Sequence, residues 1–591
     1  MNGVWDLTVL YPGFDTPEWN ADTALLDTLA EKLGALAENA EKTEHKELLG
    51  AYLTVEKELQ ETVSRMDIYA SLRYSADTGD TAAASMLERI DNKVSGTAAA
   101  EAKLRRTIAG YPELDAWYAP DGAFSEYAYL LRAMKQNSRY LLSDREETLF
   151  AKMNLSGASA WEDLQSSLTS TVKTDFRGEE RTLSELRNLA YDPDPEVRRE
   201  AYQAELNCCE KIRDSVAFAL NSIKLQVISE CGLRGYASPL DQALVQSRMK
   251  RETLDALLSA MRDYLPVFHR YLRAKAKLLG GDGALAWYDL FAPVGTVDKK
   301  YTVEDAKAYL LGIFGKFDTE LHDMVKTAFE ENWIDFYPRA GKVGGAFDCG
   351  VPYAKQSRVL TNFDGSFSDV VTLAHELGHA FHDKQVFSHS ILNQEYTMPV
   401  AETASTFNEV LVVSEAIAAA ESTEEKLVLM ESQLSDACQI ICDIYSRYLF
   451  ETSVFENRPE EFMNADRLCE LMKNAQREAY GTGLSEETLH PYMWLCKSHY
   501  YSGSLSFYNF PYAFGGLFAR GLYAKYKREG ASFVPAYKEL LHKTSVTDVE
   551  ECASAAGIDL TDKAFWAAGL QSIADEIDEF CSLCEQKEKQ A

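Results

Sequence analysis

Through residues 21–110 apolar side chains return at helical spacing. Leu25, Leu26, Leu29, Leu33 and Leu36 share one face at that period, which predicts an amphipathic helix. "HKELLGAYLTVEKELQETVSRMDIYASL" and the alanine-rich "TAAASMLERIDNKVSGTAAAEAKLRRTIAGYPE" continue the pattern until Gly110, Tyr111 and Pro112 stop it. A second helical region, 196–280, follows "AYDPDPEVRREAY". There Asp194 is the expected N-cap and Pro195 the first helical residue.

This break sets the expected division: a helical N-terminal lobe over 1–191 and a catalytic domain over 192–591. "LLGGDGALAWYDLFAPVG" reads as a loop, because Gly280, Gly281 and Gly283 interrupt it. The helical period returns in "VEDAKAYLLGIFGKF" and "ELHDMVKTAFEENW". The period then changes. "IDFYPRAGKVGGAFDCGVPYAKQSRVLTNFDG" is rich in glycine, aromatic and β-branched residues. It predicts short strands near 333–337, 344–349 and 357–363, and no other region reads as strand. From 368 the chain is helical again, and "EQKEKQA" is expected to fray. The pattern is that of a mainly α chain with one small sheet.

Length and charge narrow the function. A chain of 591 residues with 46% apolar content exceeds one ordinary core, so two or three lobes are expected. The formal net charge is −32, from 60 basic and 92 acidic residues. That field repels phosphates, and no basic stripe is visible, so nucleic-acid binding is excluded. No apolar run approaches ~18 residues, so no membrane partner is expected. The opening "MNGVWDLTVLYPGFD" has no signal-peptide pattern. Eleven cysteines without framework spacing, the pair Cys581 and Cys584 included, point to reduced thiols and a cytoplasmic setting.

Three of the ten histidines fall in "VVTLAHELGHAFHDKQ". Ser366 and Asp369 form a capping-box pattern before this run, so the histidines belong on a helix. His375 and His379 are one turn apart, ~6 Å along the axis, and can converge on one zinc ion. Glu376 is turned from that seam yet near enough to reach a water there. Gly378 costs helix stability, which asks for a close neighbouring backbone. The third ligand has two candidates. His382 is on the same face but ~10 Å along the axis from His375. Glu402 and Glu409 share a face of a second predicted helix after Pro399, with Glu402 in its first turn, and Glu402 closes a tetrahedral site with less strain. His382 and Glu409 are then groups that orient the ligands.

"AHELGHAFH" followed by "MPVAETASTFNE" resembles the oligoendopeptidase F branch of the thimet-oligopeptidase-like zinc metallopeptidases. "WDLTVLYPG", "SRMKRETLDALL" and "FYNFPYAFGGLFARGLY" are similar to further segments of that branch, so the likeness spans most of the chain. The resemblance implies one zinc ion per chain, held by His375, His379 and Glu402, with Glu376 as the catalytic glutamate. It implies a two-lobed helical metallopeptidase with a deep central channel and a small antiparallel sheet beside the zinc helix. The expected activity is zinc-dependent hydrolysis of peptide bonds within oligopeptides.

"HYYSGSLSFYNFPYAFGG" is a second constellation, with His499 and a cluster of tyrosines. It reads either as an aromatic core hairpin or as a mobile loop that brings phenol and imidazole donors to a developing oxyanion. By the resemblance His499, Tyr508 and Tyr512 are the catalytic set, with Tyr501 as an alternative phenol. Near "VGGAFDCG", Gly344 and Gly345 would let a substrate backbone approach an edge strand. Two other readings remain at this stage: a zinc amidase for small molecules, and a helical peptide-binding scaffold without catalysis.

Overall fold

The protein is described by a computed structural model over residues 3–281, 283–296 and 299–590. Three long helices, Pro17–Asn39, His45–Ala76 and Thr81–Ala109, pack on one another at its N-terminal end. Thr16, Glu44 and Asp80 cap them by accepting from first-turn N–H groups, which a helix start otherwise leaves unpaired. The buried stripe of the first helix is Trp19, Leu26, Leu29, Leu33 and Ala37. Leu25, expected in that stripe, points outward, because sequence neighbours on a helix lie ~100° apart.

Among the described residues two apolar cores are present. One gathers residues from Trp5 to Met134 with Val351 and Leu360, and the larger runs from Ala158 to Cys584. Asp194 caps the helix Pro195–Arg234 as its Asp-Pro sequence predicts. The tail expected to fray continues the helix Lys563–Gln590, which packs along Arg251–Leu278. All eleven cysteines are free thiols. Among the described residues no helix is long and apolar enough to cross a membrane.

The predicted strands form one sheet of three. Its central strand is Gln356–Leu360, flanked by Ile334–Asp335 and Phe347–Val351. The pairing with Phe347–Val351 is antiparallel, with Asp348 opposite Val359. The pairing with Ile334–Asp335 is parallel, with Ile334 opposite Val359. The sheet is therefore mixed, not wholly antiparallel as expected. Residues 347–360 form a hairpin whose second strand lies beside 334–335, leaving the first strand at the outer edge. A second hairpin, Lys173–Phe176 with Glu179–Thr182, was not expected. Its two-residue loop is Arg177 and Gly178, both at positive φ, the backbone that twisted hairpins require.

Alternation along Phe347–Val351 links the two cores. Phe347, Cys349 and Val351 face the N-terminal core. The intervening Asp348 and Gly350 face the helix that carries the histidines, and a Cβ at Gly350 would overlap the Asp383 carboxylate.

Candidate active site

The histidine helix spans Phe367–Val386 and starts on the predicted capping box, in which Ser366 and Asp369 bond reciprocally. The next long helix, Thr403–Ala419, crosses it closely. A Cβ at Gly378 would stand 2.5 Å from Ser405 Cα and 2.6 Å from the Ala404 carbonyl oxygen. Asn408 Nδ2 donates to the Ala374 carbonyl at 3.2 Å and ties the same two helices together. Glu402 is not in the first turn of that second helix, as expected, but at the junction between Met398–Ala401 and Thr403–Ala419. Ser405 Oγ donates to Glu402 Oε2 at 2.8 Å and holds the carboxylate. From the other side, the helix Phe510–Glu529 comes close enough that a Cβ at Gly515 would meet Glu402 Cβ at 3.1 Å.

These contacts bring three donor atoms together. His375 Nε2 and His379 Nε2 are 3.2 Å apart. Glu402 Oε2 is 3.3 Å from the first and 3.4 Å from the second. A tetrahedral zinc site with bonds of ~2.0–2.1 Å has ligand atoms ~3.3–3.4 Å apart. The donor types and their spacing therefore fit a zinc ion. An oxygen of Glu376 falls within 4.8 Å of ring nitrogens of both histidines. That is outside the tight triangle but within reach of a group bound at its open side.

The electrostatics follow from the packing. Burial opposes a charge on His375, but hydrogen bonds with Glu402 and Glu409 outweigh it and push its pKa up to about 10. His375 Nδ1 lies 2.9 Å from Glu409 Oε1, so the orienting role expected of Glu409 has its contact. Burial likewise opposes the charge of Glu402, but its bonds to the two histidines hold its pKa far below the usual carboxylate range. Glu376 is buried, and burial pushes its pKa up against the pull of His375 and His379.

His382 is fully buried, its ring stacks on Tyr396 at 4.1 Å, and its Nε2 lies 2.8 Å from Thr544 Oγ1. Burial lowers its pKa to about 3, so it is neutral. It packs the helix against its surroundings and does not join the triangle.

The tyrosine segment divides. Tyr501 is buried and donates to the Trp494 carbonyl at 3.0 Å, as a core aromatic would. His499, Tyr508 and Tyr512 come together, with ring centroids 5.0, 5.4 and 6.0 Å apart. Tyr512 is 37% exposed. Burial, then Tyr508, push its pKa up to about 12. Tyr512 lies one turn before Gly515, the residue of the same helix that packs against Glu402. Two buried groups missed in the sequence support this segment. Asn509 caps the helix that carries Tyr512, and its Nδ2 donates to Glu451 Oε2 at 2.8 Å. Lys224 Nζ donates to the other Glu451 oxygen at 2.7 Å.

Asp348 and Asp383 were missed as well. Asp348 on the edge strand and Asp383 on the histidine helix itself are adjacent carboxyls; burial raises both pKa values, and the charge of Asp383 raises that of Asp348 further. Tyr396 donates to Asp383 at 2.8 Å. Asp383 stands four residues after His379, a spacing that was a readable signal on the helix.

Comparison with known families places this mainly helical chain, with its His-Glu-x-x-His helix packed on a glutamate-bearing helix, among the peptidases. The model of peptidase family M3 matches residues 188–572 and the model described as oligopeptidase F matches 111–173. This chain belongs to peptidase family M3, in its oligoendopeptidase F branch. Oligopeptidase PepF of Bacillus subtilis is 24% identical over 98% of this chain and 87% of its own. An oligoendopeptidase F homolog of Lactococcus lactis is 25% identical over 98% of this chain and 97% of its own. Among solved structures, a Chlamydophila abortus chain superposes with a TM-score of 0.86 at 22% identity, covering 98% of both chains. The oligoendopeptidase-F of Enterococcus faecium superposes at 0.70 with 18% identity, over 96% of this chain and 100% of that one.

Proposed function

We propose that this peptidase is a cytoplasmic zinc-dependent endopeptidase that cleaves oligopeptides. The observation that carries the reading is the triangle of His375 Nε2, His379 Nε2 and Glu402 Oε2, whose sides of 3.2, 3.3 and 3.4 Å suit one zinc ion. A zinc ion there would supply Lewis acidity to a water and to the scissile carbonyl. Glu376 would take the proton of the attacking water and pass it to the leaving amine, and its raised pKa suits both steps. Tyr508 and Tyr512 would donate to the oxygen that becomes negative in the tetrahedral state, with His499 beside them. Among the described residues the outer edge of Phe347–Val351 has no strand partner, which suits pairing with an extended substrate backbone. Gly345, at φ +79° with open space where a Cβ would be, leaves room for that approach. Eleven free thiols support a reducing compartment.

The test is zinc content and cleavage of an internally quenched peptide, with and without chelator, for the wild type and Glu376→Gln. The variant should keep zinc and lose at least ~10²–10⁴ in turnover, the usual worth of a general base. Cleavage that persists without zinc, or in Glu376→Gln, would overturn the reading.

A further inference from the structure

In a chain of net charge −32, one cavity is walled by three cations. It has a volume of about 290 Å³, and Arg187, Arg198 and Lys497 line it with the rings of Tyr191, Trp287 and Phe291. Two of these cations are already neutralised. Arg187 Nη1 donates to Glu205 at 2.6 Å, and Arg198 pairs with Asp289 at 2.9 Å. Asp443, the other acid on the wall, is paired with Arg447. Lys497 is the exception: among the described residues its ammonium has no carboxylate within 4.0 Å and no hydrogen bond. Burial, opposed by the charge of Asp443, pulls its pKa down, as for a cation short of partners.

The position of the cavity relates it to peptide cleavage. Gln439 lines it, and the next residue, Ile440, lines a second, largely apolar cavity of about 340 Å³ that borders Glu409. Glu409 in turn touches His375. Gln439 opens the π-helical turn Gln439–Asp443, the kind of irregular turn found often at functional sites. Lys497 also caps the short turn Ser498–Tyr501 that carries His499, so a chain bound at the donor triangle has this cationic, aromatic cavity close to its path. The anion that every linear peptide carries is its terminal carboxylate.

We propose that the cavity walled by Lys497, Arg187, Tyr191 and Phe291 binds a substrate carboxylate, that of the free peptide C-terminus, with Lys497 as its ion-pair partner; this rests on the peptidase reading above. Tyr191 and Phe291, 5.1 Å apart, would cover the last apolar side chain. The site would favour short peptides, whose C-terminus can reach it from the donor triangle.

The test compares one peptide as free acid and as C-terminal amide. A charge-assisted hydrogen bond predicts kcat/KM ~10-fold or more higher for the acid. Lys497→Gln should bring this ratio near one, and Lys497→Arg should restore it. Thermal melting checks that Lys497→Gln is folded. Tyr191→Asp is an independent variant at a residue 62% exposed, so folding tolerates it, and like charge at the cavity should also lower the ratio. A third substrate, the amide with glutamate as its last residue, separates the two sources of a carboxylate. If it is cleaved as fast as the free acid, the C-terminal assignment falls. A ratio near one in the wild type overturns the subsite while leaving the peptidase reading intact. Cleavage of none of the three peptides removes both.

Discussion

Gly378 on the histidine helix lies directly against Ser405 on the next helix, with no space for even a methyl group between them. Ser405 also holds the Glu402 carboxylate, so this contact sets the distance from Glu402 to the two histidines. Two effects compete in Gly378→Ala. Helix propensity favours alanine by ~1 kcal/mol. Overpacking against a backbone costs ~1–3 kcal/mol. The neighbours here are Cα and a carbonyl oxygen, which cannot swing aside, so the cost should win. The variant should melt lower and retain less zinc after dialysis against a weak chelator. Higher melting with full zinc would show that the two helices can separate freely.

Glu402 and His382 should separate cleanly in zinc content. Glu402→Ala removes one corner of the donor triangle and should sharply reduce bound zinc. His382→Ala removes a buried, stacked ring, which should cost ~2–5 kcal/mol of stability as other large-to-small core changes do. Its folded fraction should keep more zinc than Glu402→Ala. Metal analysis of the two dialysed variants decides, and the reverse order would make His382 the ligand.

The tyrosines should divide by partner. Tyr508→Phe and Tyr512→Phe should lower kcat by ~10²–10³ if each donates to the oxyanion, with little change in KM. Tyr501→Phe leaves the buried Trp494 carbonyl without its donor, a loss of ~1–3 kcal/mol in stability, with kcat retained. Steady-state kinetics and thermal melts of the three variants check this. Loss of stability with unchanged kcat in Tyr508→Phe and Tyr512→Phe would return both to the core.

Glu205 links the structure to pH. Burial opposes its charge, but His490 and Arg187 outweigh burial and hold its pKa at about 2, against 4.5 for an ordinary glutamate. The unfolded chain takes up this proton near pH 4.5 and the folded protein only near pH 2. The contribution to stability is therefore full above about pH 4.5 and lost as pH falls toward 2. A shift of this size corresponds to ~3 kcal/mol. Glu205→Gln should unfold at lower urea than wild type at pH 7, and the gap should narrow between pH 4.5 and 3. A constant gap would mean that the ion pairs do not depress this pKa.

Much of the site was legible because its signals are local. The capping box at Ser366 and Asp369 depends only on residues three apart. The pairing of His375 with His379 depends only on one turn of helix. Gly378 even announced a neighbour by costing helix stability with no local reason. The Arg177-Gly178 hairpin was also local and readable, and was overlooked because its strands are four residues long and mostly polar.

Other features are set by residues far apart in the chain. The sequence by itself determined which residues share a helix face, and so which two nitrogens could meet on one metal. It could not determine that Glu402 sits at a helix junction, held by Ser405 and pressed by Gly515, since both contacts come from packing. Nor could it separate Tyr501 from Tyr512, two phenols in one short segment with the same chemistry. Only the tertiary structure put the first against the Trp494 carbonyl and the second with His499 and Tyr508 on the helix that packs on Glu402. The parallel pairing of Ile334 with Val359 was equally hidden, because it joins residues 25 positions apart and no turn between them fixes the register. Helical periodicity is written in neighbours three and four residues apart, whereas burial is a property of whatever the rest of the chain brings to the same place.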